Sequence, residues 1–329
     1  MEISKKKNMK NVLSSRYFPA IVGILLLSVL GQVLSSGFLT VNNISSILMT
    51  ASLLTLASIA QAFVILSGNT GMDMSVGAIM SMTALFAPMI KVVNPAVSVF
   101  VMIPFSLLLG GIVGLINGIG VRLFKIVPLV MTLIVATVVN GFSILITKGQ
   151  PSVSVSKELQ MVSLKIIGPF RLLSIVTIAF LLFMEFWLLR KTKYGKSLML
   201  VGNNPNAALL CGLKINKISV LAYVMSGAIS GLAGMLLVGY AGTAQMNMAT
   251  GYTMLSIASV VIGGTKMSGG SGSLIGGALG ALVLVMISTI LQALNMPAGL
   301  RTFIQGVILL AVLISNNRDP KLRQQCCFI

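Results

Sequence analysis

Side chains able to carry out chemistry are scarce in this sequence. It has no histidine, three cysteines (Cys211, Cys326 and Cys327) and five carboxylates: Glu2, Asp73, Glu158, Glu185 and Asp319. Without histidine there is no imidazole base, no Ser-His-Asp or Cys-His pair, and none of the common histidine-containing metal sites. No G-x-x-x-x-G-K-[ST] phosphate loop occurs, so this polypeptide is not expected to hydrolyse ATP by itself. The cysteines form no disulfide framework. We therefore expect neither a catalytic residue nor a bound metal or cofactor.

What remains is polar chemistry inside apolar runs. Asp73 sits in SGNTGMDMSVG, residues 67–77, where glycines and polar residues interrupt an apolar pattern. Two readings stay open for it. It caps the following helix by accepting from amides near Val76, with Gly71 permitting the turn, or it touches solute or a gate. Glu185, just before Arg190, reads as paired or snorkelling rather than as a proton carrier. Gln61, Asn117, Asn140, Gln245, Asn247, Gln292, Asn295 and Gln305 place uncharged amides among apolar residues. Such groups suit a neutral polar solute, and they serve equally as links between helices. Phe63, Phe142 and Phe303 offer apolar walls. The candidate solute pathway is Gln61, Phe63, Asp73, Asn117, Asn140, Gln245, Asn295 and Phe303.

The elements that must position these residues follow from composition. Of 329 residues, 56% are hydrophobic and 9% charged, and the mean hydropathy is +1.02; a soluble domain carries about 25% charge. Repeated apolar stretches near spanning length predict an all-α polytopic membrane protein. About ten transmembrane helices are expected, near 17–36, 44–66, 72–92, 95–118, 126–147, 169–189, 218–240, 252–264, 272–294 and 300–315. Some are short or broken; the eighth reads as a re-entrant or broken segment, because a short Gly-bounded segment survives at membrane depth only when protein covers it. Pro128 falls at a helix start, while Pro104 predicts a kink. The first apolar run follows a basic stretch without a small-residue cleavage site, so it is read as a retained span.

A net charge of +18 does not point to nucleic acid, since the basic residues lie in the gaps between spans and form no recognition helix. They report topology instead. With the amino terminus inside, all of the 23 Lys and Arg residues fall on the cytoplasmic side except Lys91, Lys148, Lys157, Lys165, Arg171 and Arg301. Both termini are then cytoplasmic. The organisation is a basic cytoplasmic tail 1–16, one membrane domain 17–315 and a cytoplasmic tail 316–329. An external loop at 148–168 carries a short amphipathic helix near 157–162. A basic cytoplasmic loop at 190–217 contains a helical turn or two at 206–213. That loop is large enough to dock a partner and too small to be an enzyme domain. Glycines at helical spacing (Gly110, Gly114 and Gly118; Gly227 and Gly231; Gly276 and Gly280) let backbones approach closely in lipid.

Five stretches together resemble the permease subunits of bacterial ABC importers of the ribose, xylose and galactose type. They are SGNTGMDMSVG (67–77), GLING (114–118), PLVMTL (128–133), YGKSLMLVGNNPNAALLCGL (194–213) and GGTKMSGGSGSLIGGALGAL (263–282). The first looks closer to the SGGIDLSVG pattern of the sugar branch than to the branched-chain amino-acid and nucleoside branches. The resemblance covers roughly residues 40–315. It implies a multi-pass protein of the bacterial cytoplasmic (inner) membrane, paired with a second permease copy or paralogue and surrounded by membrane lipid. Its further partners would be cytosolic ATPase subunits, which use ATP and Mg, and an extracytoplasmic solute-binding protein. The solute would be a monosaccharide, or alternatively a furanosyl signalling molecule, a nucleoside or a branched-chain amino acid. An ion-coupled secondary transporter is the reading outside this class. The resemblance also implies that the 190–217 loop holds the coupling element, through Tyr194, Gly195, Gly202, Asn203, Asn204, Ala207, Ala208, Gly212 and Leu213. The sequence departs from the family at Asn204 and Pro205, where a carboxylate is frequent.

Overall fold

A computed structural model describes residues 17–68, 71–90, 95–149 and 155–316. The basic tail 1–16, Lys91, residues 150–154 of the loop expected to be external and the tail beyond Asn316, with Cys326 and Cys327, lie outside the described residues.

Each expected apolar segment contains a helix, in the expected order: α1 (Phe18–Leu34), α2 (Val41–Leu66), α3 (Val76–Phe86, extended by a 3₁₀ turn Ala87–Met89), α4 (Pro95–Arg122), α5 (Pro128–Thr147), α7 (Leu172–Leu182, continued by a π-helical stretch Phe183–Leu189), α10 (Ile215–Ala241), α11 (Thr250–Ile262), α12 (Leu274–Ala293) and α13 (Ala298–Asn316). Among the described residues six of these are long and apolar enough to cross a membrane: α2, α4, α5, α7 with its π continuation, α10 and α12. Helices α1, α3 and α11 are apolar but shorter. At 1.5 Å per residue the 13 residues of α11 reach about 20 Å, short of the roughly 30 Å hydrocarbon layer.

Three further helices lie between the spans. The segment between α5 and α7 folds α6 (Lys157–Leu164), whose N-cap Ser156 accepts from the Leu159 amide, and a two-stranded antiparallel turn, β1 (Ile166–Ile167) with β2 (Phe170–Arg171). The basic loop departs from expectation. It folds two helices, α8 (Lys193–Asn203) and α9 (Pro205–Leu210), where one short helical region at 206–213 was foreseen. Its basic residues masked a helix whose buried side is carried by Gly195, Leu198, Val201 and Gly202.

The bundle is built on α2, which is buried continuously from Ala51 to Leu66, and on α10, which packs along α4, α3 and α2. In lipid no water is expelled between helices, so close backbone approach supplies the contact energy. A Cβ on Gly110 would overlap the Gly227 carbonyl oxygen; one on Gly114 would overlap that of Tyr223, and one on Gly231 that of Ser106. Residue numbers rise along α4 as they fall along α10, so the two helices run antiparallel with Arg122 beside the start of α10. The same device joins α11 to α12, where Gly276 meets the Gly263 carbonyl and Gly280 that of Ser259. Pro104 lies inside α4, and Pro128 opens α5 in the first helical turn.

Candidate functional site

The segment between α7 and α10 is constructed so that a short helix stands at its outer end. Asn204 is the N-cap of α9, its Oδ1 accepting from the Ala207 amide at 3.0 Å, and Pro205 occupies the first turn, where no donor is needed. At the other end Gly212 adopts φ +73°. Its amide donates to the Leu209 carbonyl at 2.9 Å and the Leu213 amide to that of Ala208 at 3.1 Å, the paired bonds of a glycine-terminated helix. Where the related pattern has a carboxylate, Asn204 keeps the acceptor. Ala207 and Ala208 form the inner side of this turn, Ala208 being fully buried, while Leu209 and Leu210 point outward, Leu210 at 91% exposure.

Helix α8 seats this element on the bundle. Thr192 caps it by accepting from the Gly195 amide at 3.1 Å. Gly195 lies against the carbonyls of Leu188 and Leu189, with no room for a Cβ. Tyr194 is largely buried, its hydroxyl 3.5 Å from the Ile218 carbonyl, and burial raises its pKa above that of a free phenol. At the end of α8 three backbone segments meet. A Cβ on Gly202 would overlap the Leu66 carbonyl oxygen and stand 2.5 Å from the Gly270 nitrogen. A Cβ on Gly270 would overlap the Asn203 backbone, and one on Gly269 the Cα of Gly68. The Gly270 amide donates to the Leu66 carbonyl at 3.2 Å. Gly68, Gly269 and Gly270 all have positive φ, so glycine is required there for conformation as well as for space. We call this contact the glycine seam.

The turn at Gly68 leads to Asp73, which is completely buried. Its Oδ1 accepts from the Ser75 amide at 2.9 Å and the Ser75 hydroxyl at 2.5 Å, and its Oδ2 from the Ser226 hydroxyl on α10 at 2.9 Å. Asn117 on α4 donates to the Ser75 Oγ at 2.8 Å. Gln61 on α2, in the amide orientation that satisfies both partners, donates to the Asp73 carbonyl at 3.0 Å and accepts from its amide at 3.1 Å. Thr132 on α5 accepts from the Met74 amide at 3.0 Å. Four helices are thereby tied to one turn. The expected capping bond from near Val76 falls one residue earlier, on Ser75, and the left-handed glycine is Gly68 rather than Gly71, because a two-residue Asx turn closes before the helix begins.

Gln61, Asp73 and Asn117 are thus brought together, with Phe63 buried in the surrounding core. Asn140 is half-buried on α5, whereas Gln245, Asn295 and Phe303 are exposed, following α10, following α12 and on α13 respectively. They do not join the Asp73 cluster. Glu185 is buried and paired with Arg190, the first of its two expected readings, rather than snorkelling. It receives Arg190 Nη2 at 2.7 Å and Nε at 2.9 Å, the Ser273 hydroxyl at 3.0 Å and the Leu274 amide at 2.8 Å, so it caps α12. That bond pattern explains why a charge is retained there: both carboxylate oxygens have donors, and one of the donors is a guanidinium.

The residues that sequence reasoning missed are Ser75, Ser226, Gly68, Gly269, Gly270, Leu209 and Leu210. The adjacent leucines in a basic loop were the one visible signal among them.

The family profile described as "Branched-chain amino acid transport system / permease component" matches residues 43–313. The chain is 33% identical over 322 residues to the Autoinducer 2 import system permease protein LsrC of Escherichia coli, covering 96% of this chain and 93% of that protein. The corresponding protein of Shigella flexneri matches over the same length at the same identity. The Ribose import permease protein RbsC of Escherichia coli is 30% identical over 304 residues, 91% of this chain and 94% of its own length. No solved structure matches the chain.

Proposed function

The chain belongs to the branched-chain amino acid transport system / permease component family, and we propose that it is the membrane-spanning subunit of an ATP-driven importer of a monosaccharide or furanosyl solute. As a permease component it is a transport subunit of the bacterial inner membrane rather than an enzyme. ATP and Mg are used by a partner ATPase pair, a second permease copy or paralogue completes the path, and an extracytoplasmic binding protein delivers the solute. The ribose and autoinducer-2 import permeases among its relatives support this solute class. So does the use made of its acidic groups: among the described residues both membrane-embedded carboxylates, Asp73 and Glu185, are consumed by internal bonds, leaving neither for a solute ammonium. A zwitterionic amino acid would need unspent charges to offset its desolvation.

The observation that carries the mechanism is the course of the backbone from the exposed tip of α9, through α8 and the glycine seam, to the Asp73 turn. ATP-driven closure of the partner subunits displaces Leu209 and Leu210. Tyr194, Gly195, Gly202 and Asn203 pass the displacement to the ends of α2 and the 263–273 loop, while Asn204, Ala207, Ala208, Gly212 and Leu213 keep the tip folded. The Asp73 cluster, with Gln61, Phe63 and Asn117, is the frame against which α4, α5 and α10 shift between inward and outward arrangements. Asn140, Gln245, Asn295 and Phe303 are the solute-facing members. Both termini and the 190–217 loop lie on the cytoplasmic side in this reading.

Leu210→Asp tests it. The side chain touches little of its own protein, so membrane yield and thermal stability should match wild type. Co-purification with the ATPase and solute uptake should fall at least tenfold, because an apolar anchor becomes a charge to be desolvated. Retention of both activities would refute the assignment of the tip as the docking point.

A further inference from the structure

At the end of the bundle opposite α9, a cavity of about 360 Å³ opens between three helices. Its wall is Asn43, Ser46 and Thr50 from the first turns of α2, Tyr240 from the last turn of α10, and Thr289 and Gln292 from the last turns of α12, with Ile47 and Ala293 as apolar floor. The spacings i, i+3, i+7 on α2 and i, i+3 on α12 put each set on one helix face. Its size lies within the range of small-molecule sites, about 300–1,000 Å³.

Nothing in the wall is charged, so neither a cation nor an anion would find its counter-charge there. The hydroxyl protons of Ser46, Thr50 and Thr289 are already donated to the carbonyls of Asn42, Ser46 and Val285, which leaves those oxygens as acceptors. The Gln292 amide has no hydrogen-bond partner among the described residues and offers both a donor and an acceptor, and the Tyr240 ring supplies a flat apolar edge. A ligand matching this wall is neutral, bears several hydroxyls and has an apolar face. Because α2 and α10 reach the glycine seam and the basic loop at their other ends, the cavity opens on the side from which a binding protein delivers solute.

We propose that this cavity is a receiving site in which a small polyhydroxylated solute of pentose size rests between release by the binding protein and entry to the path. The inference rests on the importer reading and adds to it a site and a set of residues: Asn43, Thr50, Tyr240, Thr289 and Gln292.

The test uses full-length protein in lipid nanodiscs, without the binding protein, and saturation-transfer NMR with D-ribose and L-isoleucine as probes. Uptake of both probes by the transporter assembled with its ATPase and binding protein is measured in parallel. A saturable D-ribose signal that L-isoleucine does not displace is expected. Thr50→Val combined with Gln292→Leu should weaken it about tenfold, the loss expected for two hydrogen bonds. Asn43→Leu with Thr289→Val is a second variant on the same wall and should do the same. No D-ribose signal on the wild type, or a signal unchanged in both variants, overturns the receiving site; if D-ribose uptake persists in either case, the importer reading stands. Uptake of L-isoleucine in place of D-ribose overturns both.

Discussion

Replacing Gly202 with alanine adds a single methyl group at the point where three backbone segments meet. That methyl carbon would overlap the Leu66 carbonyl oxygen and stand 2.5 Å from the nitrogen and 3.0 Å from the Cα of Gly270. Ordinary carbon contacts need about 3.5–4.0 Å, so one segment must retreat by roughly 1 Å. No side-chain rotation relieves the clash, since every obstructing atom is main chain. Retreat also breaks the 3.2 Å bond from the Gly270 amide to the Leu66 carbonyl. Overpacking costs about 1–3 kcal/mol and the lost bond about 0.5–1.5 kcal/mol. The seating of α8 should therefore weaken by about 1.5–4.5 kcal/mol, roughly 10-fold to 2,000-fold in the equilibrium between docked and undocked. The assay is solute uptake per ATP hydrolysed in proteoliposomes holding the complete transporter, with size-exclusion chromatography to show that the variant inserts and remains monodisperse. Gly202→Ala should insert normally and lose at least tenfold in coupled uptake. Gly212→Ala is the control: nothing lies within 4 Å of its added Cβ, and only the left-handed backbone at φ +73° is strained, at about 1–2 kcal/mol. Wild-type coupling in Gly202→Ala, or a larger loss in Gly212→Ala, would refute the seam as the route of transmission.

Asp73→Ala removes the acceptor for the Ser75 amide, the Ser75 hydroxyl and the Ser226 hydroxyl, and should cost about 3–5 kcal/mol, read as a large drop in the thermal aggregation midpoint of solubilised protein. Glu185→Ala frees the Leu274 amide at the start of α12 and the Arg190 guanidinium; since Arg190 is half exposed, a smaller loss of about 2–4 kcal/mol is expected in the same measurement. Asn204→Ala should weaken coupling through loss of about 1 kcal/mol of capping, while Asn204→Asp should retain it, so equal uptake in the two variants would contradict a capping role.

The six helices long enough to span were legible because lipid removes the ambiguity between buried and exposed faces: a helix in the membrane is apolar all round, and its length marks it. The same fact hid the packing. With no polar face to contrast, nothing in the run containing Gly110, Gly114 and Gly118 says that its partner is the run containing Gly227 and Gly231, or that the two are antiparallel. Gln61, Asp73 and Asn117 stood out as polar residues in apolar surroundings, yet so did Gln245 and Asn295, which lie elsewhere; the sequence marks polarity but carries no distances between helices. Ser75 and Ser226 were invisible for a simpler reason, since serine is common in membrane helices and usually bonds only to its own helix, as Ser28, Ser52 and Ser143 do here. Helix α8 was missed because lysines surround it and its inward face is half glycine.

A joint made of main chain alone has no adjustable parts. Side chains at most contacts can be lengthened, trimmed or rotated, so a protein can retune a hinge one substitution at a time. At Gly202, Gly269 and Gly270 every available substitution is an insertion of volume, and none is a refinement. The seam is therefore closed to gradual adjustment, and in the coupling role proposed for this element, matching the subunit to a different motor falls to its other end, the freely exposed surface of Leu209 and Leu210.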